Sequence, residues 1–269
     1  MLNFLTEMDP VALTALIVGL LGLASGAALA LAARFLAVRE DPRIAAVTDL
    51  LPGINCGGCG YAGCADYARA IVKDGAPVAL CAPAGPDTIG QICSFLGRAA
   101  ETAEKKVAIV RCGGDADKAP RRFAYNGVAD CAAAHAVGGG DKRCGYGCLG
   151  YGSCARVCPV GAIEMKNGLA RVHKDLCIGC SLCVKACPRH LICMIPPTRT
   201  IHVLCRSQDK GPVVKKACSV GCIGCTRCAK LVDDAQIGME GPLAVVDYDR
   251  PLDNEEVVEK CPTNCIVKE

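Results

Sequence analysis

The sequence predicts an α+β chain: an apolar N-terminal helix, a small cysteine-rich domain, then two related cysteine-rich units, the second degenerate. Three observations predict it. Val11 to Ala33 holds no charged residue. Cysteine supplies 23 of the 269 residues, most of them at short regular spacings. From Cys131 onward the sequence matches itself without gaps, each residue falling on the one 74 later, as Cys131 falls on Cys205.

The uncharged run is 23 residues long. At ~1.5 Å per residue it spans ~34 Å, enough to cross a bilayer. Gly19, Gly22 and Gly26 suit close helix contacts in a membrane. A signal peptide opens on basic residues; this N-terminus carries Glu7 and Asp9 instead, although Ala28-Leu29-Ala30 resembles a cleavage site. The reading is a retained single-pass anchor in the inner (plasma) membrane. Arg34, Arg39 and Arg43 follow it, so the positive-inside rule places the cysteine-rich body on the cytoplasmic side. Reduced thiols fit that compartment.

The cysteines fall into three runs. Leu51-Pro52-Gly53-Ile54-Asn55 leads into Cys56, Cys59, Cys64 and Cys81, among glycines at 57, 58, 60 and 63 that let a loop wrap closely with N–H groups toward sulfur. Next come Cys144, Cys148, Cys154 and Cys158-Pro159, then Cys177, Cys180, Cys183 and Cys187-Pro188. The last run has bacterial ferredoxin spacing, in which three close thiolates bind one [4Fe–4S] cluster and the cysteine before proline crosses to the other. Cys158 therefore completes the set of Cys177, Cys180 and Cys183, and Cys187 the set before it. A zinc site needs only four ligands in two pairs, which two triplets with crossing cysteines exceed; zinc stays open for Cys56, Cys59, Cys64 and Cys81. Disulfides suit short secreted chains.

The repeat decides the cluster count. In the second copy Cys158, Cys177, Cys180 and Cys183 become Val232, Pro251, Asn254 and Val257, one complete ligand set. Cys222, Cys225, Cys228 and Cys261 remain, the other complete set. In the first copy Tyr151 stands opposite Cys225, and Cys144 is the simplest replacement, joining Cys148, Cys154 and Cys187; a three-iron cluster is the alternative. Four clusters then use sixteen cysteines and leave Cys93, Cys112, Cys131, Cys193, Cys205, Cys218 and Cys265. These read as buried thiols. The alternatives are a fifth cluster drawn from Cys205, Cys218, Cys265 and one more, and a redox or metal site at Cys112 and Cys131.

The anchor, the Asn55-Cys56-Gly57-Gly58-Cys59-Gly60 motif with Cys64 and Cys81, and the ferredoxin pair together resemble the B subunits of Rnf complexes, in their longer form with an extra C-terminal ferredoxin-like repeat. The first motif alone is also similar to the iron–sulfur domain of corrinoid proteins. The resemblance implies a membrane complex that oxidises soluble ferredoxin, reduces NAD and translocates Na⁺ or H⁺. This chain would be its electron-entry module beside other membrane and peripheral subunits, an enzyme component with no active site beyond its clusters.

Composition agrees and excludes other classes. Formal charge is +3 without clusters. Each cluster with four thiolates carries about −2, so four of them bring the loaded chain to roughly −5 and remove any argument for nucleic acid. With no Trp and 4% aromatic residues, the chain is short of large core side chains, and metal binding can supply folding free energy. His135, His173, His190 and His202 lie apart from any triad-like context, and no dinucleotide fingerprint occurs, so flavin and NAD are expected on other subunits. Arg156, Lys174, Lys185 and Arg189 read either as attraction for an acidic ferredoxin or as a solvated basic face.

The expected segments are 1–38 (anchor), 39–98 (small cluster domain), 99–130 (connector), 131–196 (ferredoxin-like, two clusters) and 197–269 (degenerate repeat, one cluster). Within them Asp66 to Lys73 and Gln91 to Lys106 look helical, Val107 to Val110 reads as a strand, and Gly138 to Gly140 as a turn. A stand-alone membrane-tethered polyferredoxin and a structural zinc protein are the competing functions.

Overall fold

The computed structural model describes residues 10–35, 41–101, 104–233 and 236–269. Glu7, Asp9 and Arg39, which entered the membrane reading, lie outside them. The chain divides into two compact units, Met1–Arg43 and Ile44–Glu269. The first contains α1 (Pro10–Phe35), whose stretch Leu13–Phe35 is long and apolar enough to cross a membrane, with none of it buried in protein.

The second unit begins within α2 (Pro42–Leu50) and continues with α3 (Cys64–Lys73) and α4 (Gly85–Leu96). Tyr67, Ala68 and Ile71 of α3 pack with Val47, Val78, Ile89 and Ile92 in one apolar cluster. The helix expected over 91–106 begins earlier and stops sooner. Pro86 starts α4, where its missing N–H costs nothing. Gly97 ends it at φ 63°, its N–H closing on Ser94.

Among the described residues, eight short strands follow as four antiparallel pairs. β1 (Val107–Val110) pairs with β4 (Ile192–Ile195), and β2 (Ile163–Lys166) with β3 (Leu169–Val172). In the second half β5 (Ile201–Val203) pairs with β8 (Ile266–Lys268), and β6 (Ile237–Glu240) with β7 (Leu243–Val246). Short helices alternate with them: α5 (Cys131–Ala136), α6 (Ser153–Arg156), α7 (Leu182–Ala186), α8 (Gly211–Ala217) and α9 (Glu256–Glu259). The β2–β3 and β6–β7 hairpins have matching registers, Ile163 opposite Val172 and Ile237 opposite Val246. Each half thus has an outer strand pair bracketing an inner hairpin.

Two-stranded pairs of three or four residues are marginal by themselves. What surrounds them is mostly cysteine and small aliphatic side chains. The first half gathers Ala108, Val110, Ile163, Leu169 and Ile192 around Cys148, Cys154 and Cys183. The second gathers Val203, Ile237, Leu243 and Ile266 around Cys222, Cys228 and Cys261.

Candidate metal centres

Cys56, Cys59, Cys64 and Cys81 come from the loop before α3, its first residue and the turn after Pro77. Asn55, at φ 51°, turns its side chain to accept the Cys64 N–H at 2.8 Å, closing the loop onto the helix start. Tyr67 Oη donates to the Pro77 and Val78 carbonyls at 2.6 and 2.9 Å and so anchors the turn carrying Cys81. Burial pushes the Cys81 thiol up to about 11, and Cys59, Cys64 and Cys56 add to the rise by facing it.

Cys158, Cys177, Cys180 and Cys183 line one cavity of about 320 Å³. Cys158 thus lies with the triplet after it, as the Cys-Pro crossover requires. The Ala162 N–H donates to Cys158 Sγ at 3.2 Å and the Ala108 N–H to Cys177 Sγ at 3.4 Å. Burial raises the Cys183 thiol to about 12, with Cys180 and Cys177 adding to it. The first loop touches this site: a side chain at Gly58 would meet the Cys180 carbonyl at 2.7 Å, so only glycine allows the approach.

The next cavity, about 360 Å³, is lined by Cys148, Cys154, Cys187 and Cys131. Cys144, expected in this set, instead lines a separate cavity with Cys112, Cys205 and Cys218. Cys131 reaches its place from the start of α5. Asp130 caps that helix, accepting the Ala132 and Ala133 N–H groups at 2.8 and 3.0 Å. Ser153 Oγ accepts the Cys131 N–H and donates to Asp130, both at 2.7 Å, and Arg156 also donates to Asp130. The network ties Cys131 to α6, which carries Cys154. These bonds, that from Ser153 foremost, hold the Asp130 carboxyl down to about 2. Tyr151, opposite Cys225 in the repeat, instead donates its hydroxyl to buried Asp141 at 2.7 Å. Burial lifts the Cys154 thiol to about 12, helped by Cys148, Cys131, Cys187 and then Cys183 of the neighbouring set.

Cys222, Cys225, Cys228 and Cys261 line a cavity of about 340 Å³ with a fifth thiol, Cys265. Cys265 Sγ lies 3.5 Å from Cys261 Sγ. Hydrogen bonding from Cys265 outweighs burial and holds Cys222 down to about 6 and Cys261 to about 5. Cys265 thus lies with this run, while Cys205 and Cys218 line a separate cavity. Where the second copy lost four cysteines, Val257 and Leu252 are buried and Val232 packs against them. Aliphatic packing fills that place.

Cys93 is buried in the α2–α4 core, and Cys193 is half-buried on β4. His202 is fully buried between Lys174 and Tyr248, its imidazole held down to about 4 by burial and then by Lys174. Of the four basic residues read as a docking charge, Arg189 is buried and unavailable for that role. Arg156, though exposed, pairs with Asp130, Lys174 pairs with Glu269, and Lys185 is exposed without an ion pair among the described residues.

Apart from the Cys222–Cys265–Cys261 contacts, the thiols of the second, third and fourth sets ring cavities rather than meeting at a point. Among the described residues no three His, Cys, Asp or Glu side chains close to single-ion spacing. Mononuclear zinc would draw its sulfurs to ~2.3 Å from one centre; a cubane binds each thiolate through a different iron and keeps them apart. The donor sets and their N–H contacts fit [4Fe–4S] clusters.

Residues 51–83 match a family described as a putative Fe–S cluster, and residues 142–192 one described as a 4Fe–4S dicluster domain. The chain is 41% identical to the B subunit of the Na⁺-translocating ferredoxin:NAD⁺ oxidoreductase complex of Acetobacterium woodii, across 93% of this chain and 75% of that protein. It is 42% identical to the B subunit of the proton-translocating complex of Clostridium ljungdahlii, across 96% and 93%. The B subunit of the ion-translocating oxidoreductase complex of Methanosarcina acetivorans is 40% identical across 91% and 94%. The chain belongs to the Rnf B-subunit family. The two matched cluster families include Cys56–Cys81 and Cys144–Cys187 but stop short of Cys131 and the second repeat, so those ligands rest on the geometry.

Proposed function

We propose that this Rnf-family chain is a membrane-anchored, multi-cluster electron-transfer protein. It accepts electrons from reduced ferredoxin and passes them to partner subunits of an ion-translocating ferredoxin:NAD oxidoreductase. One observation carries the reading: cysteines from separate runs gather around shared cavities, and the first three groups adjoin one another. The ligand sets are Cys56/Cys59/Cys64/Cys81, Cys158/Cys177/Cys180/Cys183, Cys131/Cys148/Cys154/Cys187 and Cys222/Cys225/Cys228/Cys261. A [4Fe–4S] cluster supplies one-electron exchange with little rearrangement. The protein sets spacing, excludes water and directs N–H groups at sulfur, which tunes potential. Cys56 faces Cys180, and Cys183 faces Cys154, so the first three sets form a continuous series. Relatives named for Na⁺ and for proton translocation are similarly close in identity, so the coupling ion is set elsewhere. The anchor holds the body at the cytoplasmic face, and flavin and NAD bind other subunits.

Cys158→Ala tests the reading in the assembled complex. Ferredoxin-dependent NAD reduction is expected to fall at least ~100-fold, with loss of the paramagnetic signal of the set completed by Cys177, Cys180 and Cys183. Loss of a different cluster, or undiminished turnover, would refute it.

Buried cations bear on the potentials. Lys142 and Arg189 are 5% and 8% exposed. Lys142 Nζ donates to the Gly114 and Cys148 carbonyls at 2.5 and 2.9 Å, and Arg189 to the carbonyls of Cys144 (2.9 Å), Gly147 and Gly139. At an effective dielectric of ~20, a unit positive charge within ~8 Å stabilises a reduced, more negative centre by about 2 kcal/mol. Arg189→Met should therefore lower the midpoint potential of the Cys131/Cys148/Cys154/Cys187 set by roughly 90 mV, converting at 59 mV per tenfold. A redox titration followed by electron paramagnetic resonance reads the shift.

A further inference from the structure

Four cysteines outside those sets meet at one place. Cys112, Cys144, Cys205 and Cys218 line a cavity of about 410 Å³ between the two halves of the repeat. Each half contributes an equivalent pair. Cys112 stands two residues beyond β1 and Cys205 two beyond β5; Cys144 precedes Cys148 by four residues and Cys218 precedes Cys222 by four. The gapless repeat concealed this by matching Cys205 with Cys131. The hydrogen bonds follow the strands instead. The Cys148 N–H donates to Cys112 Sγ at 3.4 Å, and the Cys222 N–H faces Cys205 in the same way. The Tyr146 N–H serves Cys144 as the Val220 N–H serves Cys218. The halves are clamped beside the site, where the Gly113 N–H donates to the Leu204 carbonyl at 2.9 Å.

The surroundings ask for an anion. Arg111 and Arg206 line the cavity, and Lys142 and Arg189 are buried beside it. Among the described residues neither Lys142 nor Arg189 forms an ion pair with a carboxylate. A buried cation without a paired anion is costly, and the charges facing Arg189 are foremost the thiols of Cys144, Cys112 and Cys148, ahead of the Asp141 carboxylate, which pairs with Arg121. Four thiolates holding a 2+ core carry about −2 and supply that partner. Glycine keeps the wall open, since a side chain at Gly114 would meet Cys218 Sγ at 3.1 Å.

We infer that Cys112, Cys144, Cys205 and Cys218 hold a fifth [4Fe–4S] cluster, shared between the two ferredoxin-like halves and joining their electron paths. This rests on the electron-relay reading and extends it. Cys112 adjoins Cys148 of the third set, and Cys205 adjoins Cys222 of the fourth. The site thereby links the C-terminal cluster to the rest of the series.

The test uses the full chain, anaerobically loaded with iron and sulfide, with iron, sulfide and zinc counted per folded chain. The wild type is expected to hold about 20 iron atoms; Cys112→Ser and Cys218→Ser should each hold about 16 and lose one reduced-state paramagnetic signal. Cys193→Ser, a replaced cysteine outside every set, should keep the full complement. A wild-type count of about 16 would overturn the inference without any variant, which covers the case in which the serine variants do not fold. So would unchanged iron in folded variants, or loss of one zinc instead of four irons. Failure of the underlying relay reading looks different: the wild type would then bind no iron and sulfide at all.

Discussion

Cys131→Ala is expected to remove about four iron atoms per chain and abolish the signal of the cluster bound by Cys148, Cys154 and Cys187, whereas Cys144→Ala leaves that signal in place. The reasoning is positional. Cys131 lines the same cavity as the three others, and Asp130 and Ser153 hold it there. Cys144 belongs to a different cavity. Were alanine at 144 to erase the signal and alanine at 131 to spare it, the ligand set would have to be redrawn. A merely structural Cys131 would lower thermal stability in both redox states without changing iron content, so the iron count separates the two roles.

Stripping iron should cost the second unit its cooperative fold. Its described strands are three or four residues long and pair in twos, and its cores are built around cysteines. A domain of this size ordinarily has about 5–15 kcal/mol of stability, and here cluster binding is expected to supply most of it because ligand binding and folding are linked. Chelation under reducing conditions is expected to abolish the sharp melting transition seen by circular dichroism. Reloading has a definite pH sign. In the unfolded apo chain the thiols return to the ordinary cysteine value of ~8.5, so they are largely protonated at neutral pH and must release protons to bind iron. Reconstitution should weaken steadily as pH falls from 9 to about 6. An apo chain that melts sharply, or loads equally well across that range, would contradict this.

Much of the architecture could be read from local spacing. The apolar run of α1, the turn-bound Cys56 loop and the crossing of Cys158 each follow from residues close in sequence or from a Cys-Pro pair. The loss of one ligand set from the second copy was visible because Val232, Pro251, Asn254 and Val257 fall on four related positions, and Val257 now fills core. Cys131 was hidden because it lies 17 residues before Cys148 (148 − 131) and is brought in by a helix cap whose partner, Ser153, carries no motif. The site of Cys112, Cys144, Cys205 and Cys218 takes one thiol from each of four separate loops, and no short pattern spans them. The shared surroundings of the paired cysteines 144 and 218 became intelligible only when β1 and β5, rather than the gapless offset, set the match. Arg189 shows the same limit. Its charge suggested a docking surface, and its burial places it beside the thiols instead.

The decisive measurement is acid-labile sulfide alongside iron and zinc in the anaerobically purified chain. Iron and sulfide in near-equal amounts, at least ~16 of each per molecule, are what a multi-cluster relay requires. A folded, colourless protein carrying zinc and no sulfide would contradict it.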